Sequence, residues 1–112
     1  MPVTFRILPR HALVHVRYDG IARIAETERA MASCAIHPEF RPGFRHLVDM
    51  SRVTGHEADY PAMMALQARL AEWLVRPAQG PFLICLAPTQ VAQAAAWMVT
   101  KSWEGLAEGA CL

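Results

Sequence analysis

Asp49, Ser51, His56, Glu57 and Asp59 concentrate reactive side chains in one short stretch of the chain. A histidine that titrates near neutral pH, beside carboxylates and a hydroxyl, can move protons or hold a divalent metal weakly. The same residues have simpler uses. Asp49 can cap a loop, Asp59 can cap a helix, and the others can be solvated, because loops are rich in such side chains. The five are therefore candidate ligand-binding residues, and no catalytic residue is assigned. His11 and His15 are close in the chain, but no third ligand accompanies them, and zinc sites need three or four. No metal ligand is expected. Cys34 and Cys85 have no adjacent His or Lys to stabilise a thiolate. Ser33 and Ser51 lack a nucleophile-elbow context, and the glycines form no phosphate-cradling loop. The chain reads as a non-enzyme with no cofactor.

The elements that must position these residues follow from periodicity. Val3-Thr4-Phe5-Arg6-Ile7 alternates apolar and polar, and so does Val14-His15-Val16-Arg17-Tyr18; with Pro9-Arg10-His11 between them they read as a β-hairpin. Asp19-Gly20 should break the second strand, with Asp19 capping a helix over Ile21–Ile36. Ile21, Ile24, Ala25, Glu28, Ala32 and Ala35 fall on one side of that helix. His37-Pro38-Glu39-Phe40-Arg41-Pro42-Gly43 is a loop, and Phe44–Met50 is a third strand, in which His46 is a hydrogen-bonded sheet residue. A polar loop over Ser51–Asp59 follows. Pro61 fits the first turn of a second helix, which runs to Val75 with Met63, Leu66, Leu70 and Leu74 on one face. Phe82–Ala87 is a continuous apolar run, suited to an interior strand covered on both faces.

The third helix should begin at Pro88-Thr89, pass through Trp97 and Trp103 toward Leu106, and end near Gly109. Val91, Ala94, Ala95, Met98 and Ser102 make one face, while Ala92, Ala96, Val99, Trp103 and Leu106 make another. A helix apolar nearly all round is buried or covers something besides its own sheet. Trp97, Val99, Trp103 and Leu106 are therefore candidate interface residues, large enough to anchor a second subunit or another protein. Ala110-Cys111-Leu112 is expected to contribute little as a final strand.

Composition narrows the class. The 112 residues suffice for one domain and are 54% apolar, enough for a core without disulfides. Net charge is +1, from 11 basic and 10 acidic residues without runs of either sign, so no nucleic-acid partner is expected. Three dispersed cysteines form no disulfide framework. The start Met1-Pro2-Val3-Thr4 lacks the basic and apolar regions of a signal peptide, and no stretch is long enough for a membrane span. A cytoplasmic protein is expected.

The order β-β-α-β-α-β-α describes a small mixed sheet with helices packed on it, an α/β domain. It resembles the STAS fold, and particularly its SpoIIAA-like branch. His37-Pro38-Glu39-Phe40-Arg41-Pro42-Gly43 followed by Leu47-Val48-Asp49-Met50-Ser51-Arg52-Val53 is similar to that branch's pattern. The pattern is a helix ending near His-Pro, a Pro-Gly before the third strand, and an Asp at the strand's end. The resemblance runs from Val3 to about Leu106. In the phosphorylated antagonists of the family, a serine in an Asp-Ser-Ser-Gly-like context begins the helix after the third strand, where free amides hold a phosphate. Here Glu57-Ala58-Asp59-Tyr60-Pro61-Ala62 stands in that place, with no hydroxyl of the required kind. The resemblance implies the fold and a regulatory or binding role, without the phospho-switch.

Three functions are thus in competition. The first is a non-enzymatic binding or regulatory module acting on a protein partner, or on itself as a homodimer, through its helices and the loop after the third strand. The second is a carrier of a small apolar ligand, since SpoIIAA-like domains are grouped by resemblance with CRAL-TRIO lipid-binding proteins. The third is an enzyme using Asp49, His56 and Glu57.

Overall fold

The structure is a computed structural model that describes residues 3–41, 43–57, 60–73, 82–102 and 108–111. Strands β1 (Val3–Leu8) and β2 (Leu13–Ala22) pair antiparallel, Val3 opposite Tyr18 and Leu8 opposite Leu13. A 3-10 turn at Pro9–His11 joins them, where the fixed φ of proline suits the first position. Ala12 then adopts the left-handed region, φ 49° and ψ 49°, and its N–H closes the turn on the Pro9 carbonyl at 3.2 Å.

Asp19-Gly20 does not end β2. The strand continues to Ala22 because β3 (Arg45–His56) extends alongside and takes its backbone groups, Asp19 opposite Arg52 and Ala22 opposite His56. Two register shifts accommodate this, and Gly20 supplies a φ of 76° there without steric cost. The expected loop over Ser51–Asp59 is accordingly strand as far as His56. Ser51 and Arg52 are both exposed at the first shift, and Val53 returns to the core.

Helix α1 (Ile24–Ala35) therefore starts later than expected, with Arg23 rather than Asp19 at its N-cap. Its buried residues are Ile24, Thr27, Ala30, Met31 and Cys34. Of the expected face, Ile24 is buried and Ala35 packs half-buried against the core, but Ile21, Ala25, Glu28 and Ala32 do not form the buried face, because the helix is rotated by two local satisfactions. Thr27 is a polar residue that the core can hold through its hydrogen bonds, and Glu28 pairs with Arg69 of α2 (Tyr60–Trp73). In α2, Met63, Leu66 and Leu70 are buried as the spacing predicts; Leu74 lies outside the described residues.

Strand β4 (Phe82–Leu86) runs parallel to β3, and helix α3 (Gln90–Ser102) follows with Thr89 as cap, its Oγ1 accepting from the Ala92 N–H at 3.0 Å. Strand β5 (Glu108–Cys111) then pairs parallel to β4. A final strand thus forms where little was expected, and Gly109 belongs to it rather than to a helix end.

The sheet is mixed, in the order β1-β2-β3-β4-β5. Each of the parallel strands β2 to β5 lies beside the next in chain order, so right-handed crossovers place α1, α2 and α3 on the same face. Burial agrees. Val14, Val16, Tyr18, Val48, Met50, Leu83 and Cys85 point under the helices and are buried. Their neighbours on the opposite face are half-buried or exposed, among them Leu47, Ile84 and, at 39% exposed, Leu86. β4 is therefore covered on one face, not both. Small residues Ala92, Ala95 and Ala96 let α3 approach β3 and β4 closely. Among the described residues, no helix is long and apolar enough to cross a membrane.

Candidate functional site

Extension of β3 separates the polar residues that looked clustered in sequence. Asp49 lies on the face opposite the helices, in register with Arg17 of β2. Ser51 sits two residues on, at the register shift, and both its N–H and its Oγ donate to Asp49 Oδ1, at 2.9 and 2.6 Å. Those two bonds, the hydroxyl first, hold the Asp49 carboxyl below its usual range, with smaller help from His15 and Arg17 and against some desolvation. Asp49 and Ser51 thus lock the shift in β3. His56 ends the strand, roughly 20 Å further along at the ordinary rise of a strand. Glu57 follows it, donating its N–H to the Ala22 carbonyl at 2.9 Å and placing Oε2 3.5 Å from Arg23 Nε. The structure brings Asp49 to Ser51 and Glu57 to Arg23, but not the two pairs to each other. Asp59 lies outside the described residues. Among the described residues, no group of three or more His, Cys, Asp and Glu could hold a metal.

The interface candidates divide in the same way. Trp97 is 60% exposed, with Lys101 Nζ 5.7 Å from its ring centre. Val99 is instead a core residue, 4% exposed, because the rotation of α3 turns Ala92, Ala95, Ala96, Met98 and Val99 onto the sheet. Trp103 and Leu106 lie outside the described residues.

Buried reactive groups are held in unreactive forms. Desolvation pushes the Cys34 thiol up to about 12 and raises the Tyr18 phenol, against the opposing effect of its hydrogen bond to Thr27. His46, 1% exposed beside Phe40, is pulled down to about 4 by burial and is neutral at pH 7. No thiolate or imidazolium is poised at these positions.

A concave site lies elsewhere, between the sheet's first edge and α1. Val3, Thr4 and Phe5 of β1 form one wall, and Glu26, Arg29, Ala30 and Ser33 of α1 form the other, around about 340 Å³. Val3 and Ala30 are buried and Phe5 is half-buried, which makes the floor apolar. The Phe5 ring meets His37 edge-on, with centroids 6.3 Å apart. Glu26 Oε1 stands 3.9 Å from Arg23, while Oε2 is sealed from solvent with no hydrogen-bond partner among the described residues. A desolvated carboxylate oxygen in that state favours an incoming N–H donor. Among the described residues β1 pairs only with β2, so alternate residues of β1 direct their backbone N–H and C=O away from the sheet. The sequence signal for this groove was faint: polar residues at Glu26, Arg29 and Ser33 follow helical spacing, but nothing local relates them to Val3–Phe5.

Comparison with known proteins finds no matching family model and no curated relative.

Proposed function

We propose that this chain is a non-enzymatic binding module of STAS type that captures an extended segment of a partner protein along β1. The groove between β1 and α1 carries this reading: a free strand edge, an apolar floor and the orphaned oxygen of Glu26 lie side by side. A peptide added to β1 gains main-chain hydrogen bonds from the edge, while alternate side chains enter the groove. The residue over Glu26 would be Lys, Arg or a neutral amide donor. The STAS assignment draws support from the order of elements, a hairpin followed by alternating helices and strands.

The test is selection of a phage-displayed decapeptide library on the full chain, followed by amide-shift mapping of the enriched peptides. Enrichment of alternating sequences with one basic residue, shifting Val3–Phe5 and Ala30, is expected. Glu26→Gln should remove the basic preference, and Ser33→Trp, which fills the groove, should abolish capture. Absence of enrichment, or shifts confined to other elements, would overturn the reading.

The apolar-carrier reading needs a cavity between the sheet and the helices. At Ile24, Thr27, Met63, Leu66, Met98 and Val99 the space between helices is about 10 Å³, too small for a ligand. That packing lends the carrier reading no support.

A further inference from the structure

The α1 wall of the groove carries one charge of each sign, and their order along the helix has a direction. Glu26 holds the oxygen without a hydrogen-bond partner among the described residues, and its other oxygen shares Arg23 with Glu57. Arg29 lies three residues further on, exposed and in no ion pair among the described residues. Although neighbours on one helix face, Glu26 and Arg29 do not close on each other. Ser33 follows one turn later and brings no charge.

The fold sets how this row runs against β1. Helix α1 connects the parallel strands β2 and β3, so it runs back against β2. Strand β1 is antiparallel to β2 as well, and α1 and β1 therefore run the same way. Two contacts mark the ends. Tyr18, opposite Val3, bonds Thr27 in the first turn of α1, and Phe5 meets His37 just past the last turn. Glu26 thus lies toward Val3, and Ser33 toward Phe5.

A segment added antiparallel to β1, the pairing that is more stable per residue, runs against α1. It passes Ser33 and Phe5 first, Arg29 next and Glu26 last. Its side chains on the groove side recur about every 6.8 Å, against a rise of about 4.5 Å from Glu26 to Arg29. The long arm of Arg29 and that of a bound lysine or arginine span the difference. We infer, resting on the edge capture proposed above, that the partner segment reads apolar-x-acidic-x-basic from its amino end. The apolar side chain lies on Phe5, Asp or Glu meets Arg29, and Lys or Arg meets Glu26. Charge complementarity selects this occupant over the β1 strand of a second copy, because Val3–Leu8 contains no carboxylate to offer Arg29.

The experiment titrates the full chain with three labelled synthetic peptides of one threonine-rich frame, followed by fluorescence anisotropy and amide shifts. One carries Leu-x-Glu-x-Lys, the second the exchanged order Leu-x-Lys-x-Glu, and the third the neutral Leu-x-Gln-x-Gln. The first should bind about tenfold or more tightly than the second, with the third between them, and should shift Val3, Phe5 and Ala30. Glu26→Lys combined with Arg29→Glu should invert the preference. An inversion cannot come from damage to the fold, which would weaken all three peptides together. Arg29→Gln alone offers a second route: it should narrow the gap between the first peptide and the neutral one. Equal affinities with shifts still at Val3–Phe5 would overturn the charge order and leave edge capture standing. Tighter binding of the exchanged peptide would overturn it too, making the added strand parallel to β1. No shift at Val3–Phe5 with any peptide would remove edge capture and the charge order together.

Discussion

Tyr18 of β2 donates its hydroxyl to Thr27 Oγ1 of α1 across 2.5 Å of fully buried interface. The direction follows from the neighbouring bond, since Thr27 gives its own proton to the Arg23 carbonyl at 3.1 Å. The arrangement explains how a polar residue holds a core position on α1, and it predicts an asymmetry. Tyr18→Phe removes one hydrogen bond and strands no donor, so it should cost about 1 kcal/mol. Thr27→Val keeps the shape but leaves the Tyr18 hydroxyl buried without an acceptor, and should cost about 1–3 kcal/mol. Urea unfolding of both variants measures the order. Equal losses, or a larger loss for Tyr18→Phe, would refute the assigned donor.

His46 makes stability depend on mild acid. Its folded value of about 4 lies below the unfolded value of 6.5, so the unfolded chain binds more protons between those limits. Stability is complete above the unfolded value and falls as pH drops toward the folded one, by about 3 kcal/mol across the window. Asp49 acts lower down: its depressed carboxyl contributes stability above its unfolded value of 3.8, lost as pH falls below it. Chemical unfolding between pH 7 and pH 4 should show the first loss, and His46→Leu should flatten it. An unchanged slope in that variant would assign the loss to other groups.

Ala12 occupies a conformation that costs an L-residue roughly 1–2 kcal/mol. Its side chain is exposed, so glycine sacrifices little there. Ala12→Gly should raise stability, by about 0.5–1 kcal/mol after allowing for the greater freedom of glycine in the unfolded chain. A rise in Tm of a few degrees checks this; a fall would mean that the turn prefers the alanine for reasons outside its backbone.

Legibility in the sequence followed the range of the forces. The hairpin, the Met63–Leu66–Leu70 stripe and the Thr89 cap depend on neighbours within a turn or two, and periodicity reveals them. Asp19-Gly20 misled because the same dipeptide suits a helix start or an irregular strand, and the decision rests with β3, more than thirty residues away. Ser51 to His56 look like loop for the same reason: their polarity matches a strand with one open face. That open face also explains why the apolar run of β4 overstated its burial, since Ile84 and Leu86 face away from the helices. The groove at Val3–Phe5 and Glu26–Ser33 exists only once α1 is laid beside the sheet edge, and the Asp49–His56 cluster dissolves once the chain between them is extended.

Trp97 is the exposed anchor, among the described residues, of the expected self-association through α3. An exposed tryptophan offers a large area to a partner, and its contact with Lys101 shields only part of the ring. If a homodimer forms there, size-exclusion with light scattering should give twice the monomer mass, and Trp97→Ala should return it to the monomer with the fold intact, because Trp97 contributes nothing to the core. Trp103→Ala makes a parallel test of the residue nominated from sequence. A wild-type chain that stays monomeric at every concentration would eliminate self-association, leaving Trp97 as a solvated residue covered by its own lysine.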